Sequence, residues 1–182
     1  MIVAERKRKE NIAEYLLYMW QVEDLIRANR FDADSISRTL ISQYNQPDEV
    51  KADIIRWYKE LIDMMRSEGV MEKGHIQLNT NIIITLTDRH LSLLKSPDET
   101  AYQAAYYKVL PSIVQLRSKS GGDIDVPELE TCFTAVYGFL LLKMQGREIS
   151  EATTESIRQI SAFLALLSEK HQTIDNHNAE SE

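Results

Sequence analysis

The side chains best placed to do chemistry are Glu23 and Arg27, one turn apart on a stretch from Glu10 to Asn29 that reads ENIAEYLLYMWQVEDLIRAN. Projected at about 100° per residue, Glu10, Glu14, Gln21, Asp24 and Ala28 gather on one narrow side. Ile12, Tyr15, Leu16, Met19, Trp20, Val22 and Ile26 form the opposite, apolar arc. Two polar residues break that arc. Glu23 falls between Ile12, Leu16 and Met19, and Asn11 falls beside Tyr15, Tyr18 and Val22. A carboxylate taken into a low-dielectric interior costs several kcal/mol unless it is paired, and Arg27 is the nearest cation. The simpler reading is a structural ion pair. The sharper one is a polar pocket on Trp20, Glu23 and Arg27, because perturbed buried charges concentrate at functional sites. His90 is the histidine that could join it, since Asn79 and Thr87 share its side of a later helix. Asn11 would be a supporting group behind.

Other chemistries find little footing. Carboxylate-bridged metal bundles need Glu-x-x-His on two helices plus two further glutamates; that spacing occurs once, at Glu72–His75, with Gly74 inside it. His75 and His90 would stand roughly 22 Å apart on one helix, too far to share an ion. His171 and His177 fall at the polar C-terminus. No metal is therefore assigned. Cys132, the single cysteine, lies in an apolar helix and reads as an inert buried thiol. There is no Gly-x-Ser-x-Gly elbow, no dinucleotide fingerprint and no zinc spacing, and Gly121-Gly122 is not followed by the Gly-Lys-Ser/Thr of a phosphate loop. No cofactor is expected. Eight tyrosines and two tryptophans fall mostly at core spacings, with an aromatic-lined pocket as the alternative use. The balance leans against an enzyme.

The elements that must position these residues read as all-α. The 182-residue chain is 43% apolar and 27% charged, with only six Gly and four Pro, a composition that favours helices over a turn-rich β fold. About seven helical segments follow from the periodicity, packed as a compact bundle without substantial β-sheet. The first is Glu10–Asn29. The second runs from Asp32 to about Tyr44, and the third starts at Pro47 and ends at Gly69, a natural C′ residue. Residues 70–95 read as a fourth helix, although NIIITLT suits a strand in isolation and 70–78 could form a short wing. Ser96-Pro97-Asp98-Glu99 reads as a capping box opening the fifth helix, kinked at Pro111. After the connector KSGGD (Lys119 to Asp123), the sixth helix, Leu129 to Gln145, is apolar nearly all round and is expected to be the most buried. The seventh starts after Ser150 and carries Ile157, Ile160, Leu164 and Leu167. Residues 1–170 form one expected domain, and 171–182 a mobile polar tail.

The formal net charge of −7 opposes nucleic-acid binding, which needs a cationic footprint. Arg6, Lys7, Arg8 and Lys9 run the other way but read as a solvated helix entrance that frays against the dipole. No run is apolar enough to span a bilayer and no signal-peptide core is present, so no membrane partner and a cytoplasmic location are expected.

The runs Lys-Glu-Asn-Ile-Ala-Glu-Tyr and Met-Trp-Gln-Val-Glu-Asp-Leu-Ile-Arg, with Glu68-Gly69-Val70, Lys73-Gly74-His75, the His90 region, Tyr137-Gly138 and Glu148-Ile149-Ser150, give the chain its likeness. It resembles an uncharacterised family of small helical bacterial proteins, a domain-of-unknown-function family, over about residues 1–170. The resemblance implies a single helical domain and carries no activity. No residue pattern names a reaction. The leading expectation is a non-enzymatic helical domain acting through protein contacts, with a second copy of itself or another protein as partner. The alternative is an enzyme or small-ligand binder at an inter-helix site around Glu23, Arg27 and His90.

Overall fold

A computed structural model describes residues 2–119 and 126–179. Among these the chain is all-α, with eight α-helices, one short 3-10 turn and no strand. The helices are α1 (Ile2–Glu10), α2 (Ile12–Ala28), α3 (Ala33–Thr39), α4 (Asp48–Ser67), α5 (Gln77–Lys95), α6 (Thr100–Lys119), α7 (Glu128–Met144) and α8 (Glu151–Ala179), and the 3-10 turn spans Ile41–Gln43. None of the described helices is long and apolar enough to cross a membrane.

The helix beyond the seven expected is α1, and Asn11 is the reason it is separate. Asn11 adopts an extended backbone (φ −158°), and its side-chain oxygen accepts the N–H groups of Ala13 and Glu14, both at 3.0 Å. Those are orphan donors of a helix start. The residue read above as a polar intruder on the α2 face is thus the N-cap of α2. The basic cluster Arg6–Lys9 ends α1, where cations suit the dipole, and Lys7 reaches Glu14 at 2.8 Å.

The chain divides into two compact units, residues 1–82 and 83–182. In the first, α2 packs with α1 and α4, and α3 with α4. Its core holds Leu16, Met19, Trp20, Ile26, Ile36, Ile41, Met65 and Ile76, all essentially inaccessible. The expected second helix is shorter, ending at Thr39 before the 3-10 turn. α4 stops as read: Gly69 (φ +72°) sits at C′, with Val70 N–H on Met65 O and Gly69 N–H on Arg66 O. Residues 70–76 are neither helix nor wing. They form an irregular loop, so the fourth expected helix begins at Gln77.

In the second unit α6, α7 and α8 pack against one another around Tyr102, Val109, Ile113, Phe133, Ile160 and Leu167. The proline helix is α6, not the fifth, and it starts at Thr100; Ser96–Glu99 is a turn in which Glu99 N–H meets Ser96 O. The Glu99 carboxylate holds Lys170 at 2.7 Å instead of capping. α6 continues through Pro111, which lies on its exposed face with Tyr107, the residue whose carbonyl loses a donor. The expected KSGGD connector lies, apart from Lys119, outside the described residues. α8 continues past Lys170 to Ala179. α7 is not the most buried helix: only Leu129, Cys132, Phe133 and Val136 are buried, all in its first half.

Asn11 supplies a testable consequence. Asn11→Ala should lower unfolding stability by about 1 kcal/mol, read from urea denaturation; an unchanged midpoint would mean that the cap contributes nothing.

Candidate functional site

Trp20, Glu23 and Arg27 recur at i, i+3 and i+7 on α2, and all three meet the loop 70–76. The Glu23 carboxylate, 1% exposed, accepts three donors from that loop and the start of α5. They are the backbone N–H of Ile76 at 3.0 Å, Asn79 Nδ2 at 2.8 Å and His75 Nδ1 at 2.5 Å. The His75 ring in turn stacks on the Trp20 indole, 4.1 Å between centroids and 6° from parallel. Arg27 is not the partner of Glu23. Its guanidinium bonds Asp24 at 2.9 Å and donates to the carbonyls of Val70, Met71 and Gly74.

The division follows from what each group needs. Loop carbonyls lacking helical donors call for a cation with several N–H groups, and Arg27 supplies a planar fork. The first N–H groups of α5 lack acceptors, and carboxylates supply them at the positive end of the helix dipole. Glu23 takes Ile76, and Glu68 takes Gln77 at 2.5 Å. Gly74 (φ +84°) makes the turn between the Arg27-bound and Glu23-bound parts of the loop. Asn79 is fully buried, and its Oδ1 has no hydrogen-bond partner among the described residues.

His90 belongs to a separate cluster within the second unit. Its Nδ1 lies 2.7 Å from Tyr102 Oη, and the rings of Tyr106 and Phe163 meet it edge-on at 4.8 and 5.7 Å. Tyr106 donates to Glu128 at 2.8 Å. Burial pulls His90 below the usual imidazole range, with Glu128 acting weakly the other way. Burial likewise pushes the Tyr102 and Tyr106 phenols up and the Cys132 thiol up to about 12. Phenols and thiol are therefore held protonated and are not nucleophiles at neutral pH.

The structure thus brings together Trp20, Glu23 and Arg27, places Asn11 at a cap, and gives His90 to Tyr102. The proposed polar strip of Asn79, Thr87 and His90 has separate partners, Thr87 bonding Ile83 O of its own helix. His75 is the site residue the sequence reading missed. Placing it on a helix hid it; the glycines at 69 and 74 around a polar stretch were the signal for a loop. Among the described residues no group of three or more His, Cys, Asp or Glu side chains is placed to hold a metal ion.

Two consequences can be measured. Glu23→Ala strands the Ile76 N–H and the Asn79 amide and should cost about 3 kcal/mol. Glu23→Gln keeps one acceptor and should cost about half as much; equal stability of Glu23→Ala and wild type in urea would refute the anchoring role. The second concerns pH. His90 and His171 both titrate lower in the folded chain, burial being the first cause for each. Between the folded pKa and the unfolded value of about 6.5 the unfolded chain binds more protons. Stability is therefore complete above about pH 6.5 and falls as pH drops through the folded pKa. Urea midpoints from pH 7.5 to 5 should fall, and less steeply in His90→Gln; an unaltered slope in that variant would assign the effect elsewhere.

Compared with known families, residues 1–178 match the family model described as Domain of unknown function (DUF4924). The chain belongs to that family. No curated protein and no solved structure matches it.

Proposed function

We propose that this DUF4924 member is a non-enzymatic cytoplasmic domain that works through protein contacts, first of all with a second copy of itself. The observation that carries the reading is the second half of α7. A helix apolar all round belongs in a core, yet Phe139, Leu140 and Leu141 are only half-buried, Leu142 is 40% exposed and Met144 77% exposed. Lys143 folds back over the Phe139 ring, 5.0 Å from its centroid, so the one cation there covers apolar surface instead of interrupting it. In an isologous contact this end of α7 would meet the same residues of a second copy. The net charge of −7 sets such a surface against protein rather than nucleic acid.

Light scattering on a sizing column should return twice the chain mass at tens of micromolar. Leu142→Glu combined with Met144→Glu, both at exposed positions, should return the single mass with the thermal midpoint unchanged. A wild-type chain that stays monomeric at high micromolar concentration would defeat the homodimer.

One observation favours the alternative, a small-ligand or catalytic site on α2. His75 has Nδ1 on the Glu23 carboxylate and its side chain is 27% exposed. A carboxylate-held imidazole is the arrangement of a general base. On that reading His75 takes the part first given to His90, beside Glu23 and Arg27. Ring-proton shifts of His75 under a metabolite panel test it, and an unmoved ring throughout would end it.

A further inference from the structure

Within the first unit a cavity of about 580 Å³ opens between α1, α2, the 3-10 turn and the first two turns of α4. It is about four times the ~150 Å³ void that holds a benzene, and falls within the range of small-molecule sites. Its walls are apolar: Val3 from α1, and Val50 and Ile54 from α4. Two tyrosines line it, Tyr18 of α2 and Tyr44 of the link that follows the 3-10 turn. The rest of the lining is three carboxamides, Gln43, Asn45 and Gln46, all exposed at the mouth. Among the described residues no Asp, Glu, Lys, Arg or His lines it.

That composition selects its ligand. We infer that this cavity binds a neutral molecule with an aromatic ring and an amide-like edge. An ion seated against these walls would lose part of its hydration and meet no opposite charge among the described lining, so charged ligands bind more weakly. Ring faces of Tyr18 and Tyr44 stack offset or edge-on with an aromatic body. Carboxamides both donate and accept, so an edge carrying an N–H beside a C=O pairs with them in either sense. Burial holds the Tyr18 phenol up at about 12 and raises Tyr44 as well, so neither introduces charge near neutrality. The surface involved shares no residue with the exposed half of α7.

Benzamide, benzoate and benzamidine have one ring and nearly one shape but charges of zero, minus one and plus one. Titrated into the ¹⁵N-labelled full chain, benzamide should shift the amides of 43–46, 50 and 54 with a dissociation constant on the order of 1 mM. The two ions should bind at least tenfold more weakly. Val50→Phe, which sets a larger side chain against the apolar wall, should weaken benzamide severalfold. Asn45→Ala with Gln46→Ala, at exposed positions, should weaken benzamide severalfold without moving the thermal midpoint, which decides the matter even if Val50→Phe does not fold. Absence of saturable shifts at 10 mM benzamide would overturn the inference. So would equal binding by either ion, shifts confined to other residues, or an undiminished affinity in the double alanine variant.

Discussion

A single buried carboxylate organises the first unit. With 1% of its surface exposed, Glu23 can persist in the interior only where donors replace its lost hydration. The chain brings three: a main-chain N–H, a carboxamide and an imidazole. All come from residues 75–79, so satisfying the charge holds the end of the loop and the start of α5 against α2. Arg27 does the reciprocal work on residues 70–74, as cation to a row of carbonyls. Two opposite charges one turn apart, drawn apart by loop groups of opposite polarity, hold the loop from both ends.

The second unit handles its buried polar groups differently. His90, Tyr102, Tyr106 and Glu128 bond in pairs among aromatic rings, and burial keeps the imidazole neutral and the phenols protonated. Cys132 is kept a thiol by the same desolvation. These groups are satisfied and quiet, as core polar groups are when packing rather than reactivity selects them. Where the chain meets solvent, in contrast, two surfaces are mainly apolar: the second half of α7, where Lys143 lies over Phe139, and the cavity walled by valine, isoleucine and tyrosine. Both are surfaces suited to recognition by shape and burial.

Much of the fold was legible from periodicity. The stripes of α4 and α8, the all-helical class, the stop at Gly69 and the buried inert Cys132 follow from local rules, because a 3.6-residue repeat and a left-handed glycine need no tertiary knowledge. Glu23 stood out for the same reason, as a charge on the wrong side of a wheel. Its partner did not. Arg27 was nearest along the helix, but i, i+4 proximity says nothing about a loop 50 residues away whose donors compete for the same carboxylate. Asn11 misled in the same way: a wheel ranks it by angle, whereas capping depends on its own extended backbone. α7 misled because apolar composition states what a helix would bury, not how much partner surface the chain provides.

By itself, then, the sequence determined that this chain is helical, where most of its helices stop, and that Trp20, Glu23 and Arg27 share a face carrying an awkward charge. These are matters of spacing within one element. Only the tertiary structure decided that His75 meets Glu23, that His90 bonds Tyr102, that Arg27 serves backbone carbonyls, and that α7 stays half-uncovered. Each of those depends on which distant groups the packed chain delivers within 3 Å of a buried charge or 4 Å of an apolar wall, and no local pattern encodes that delivery.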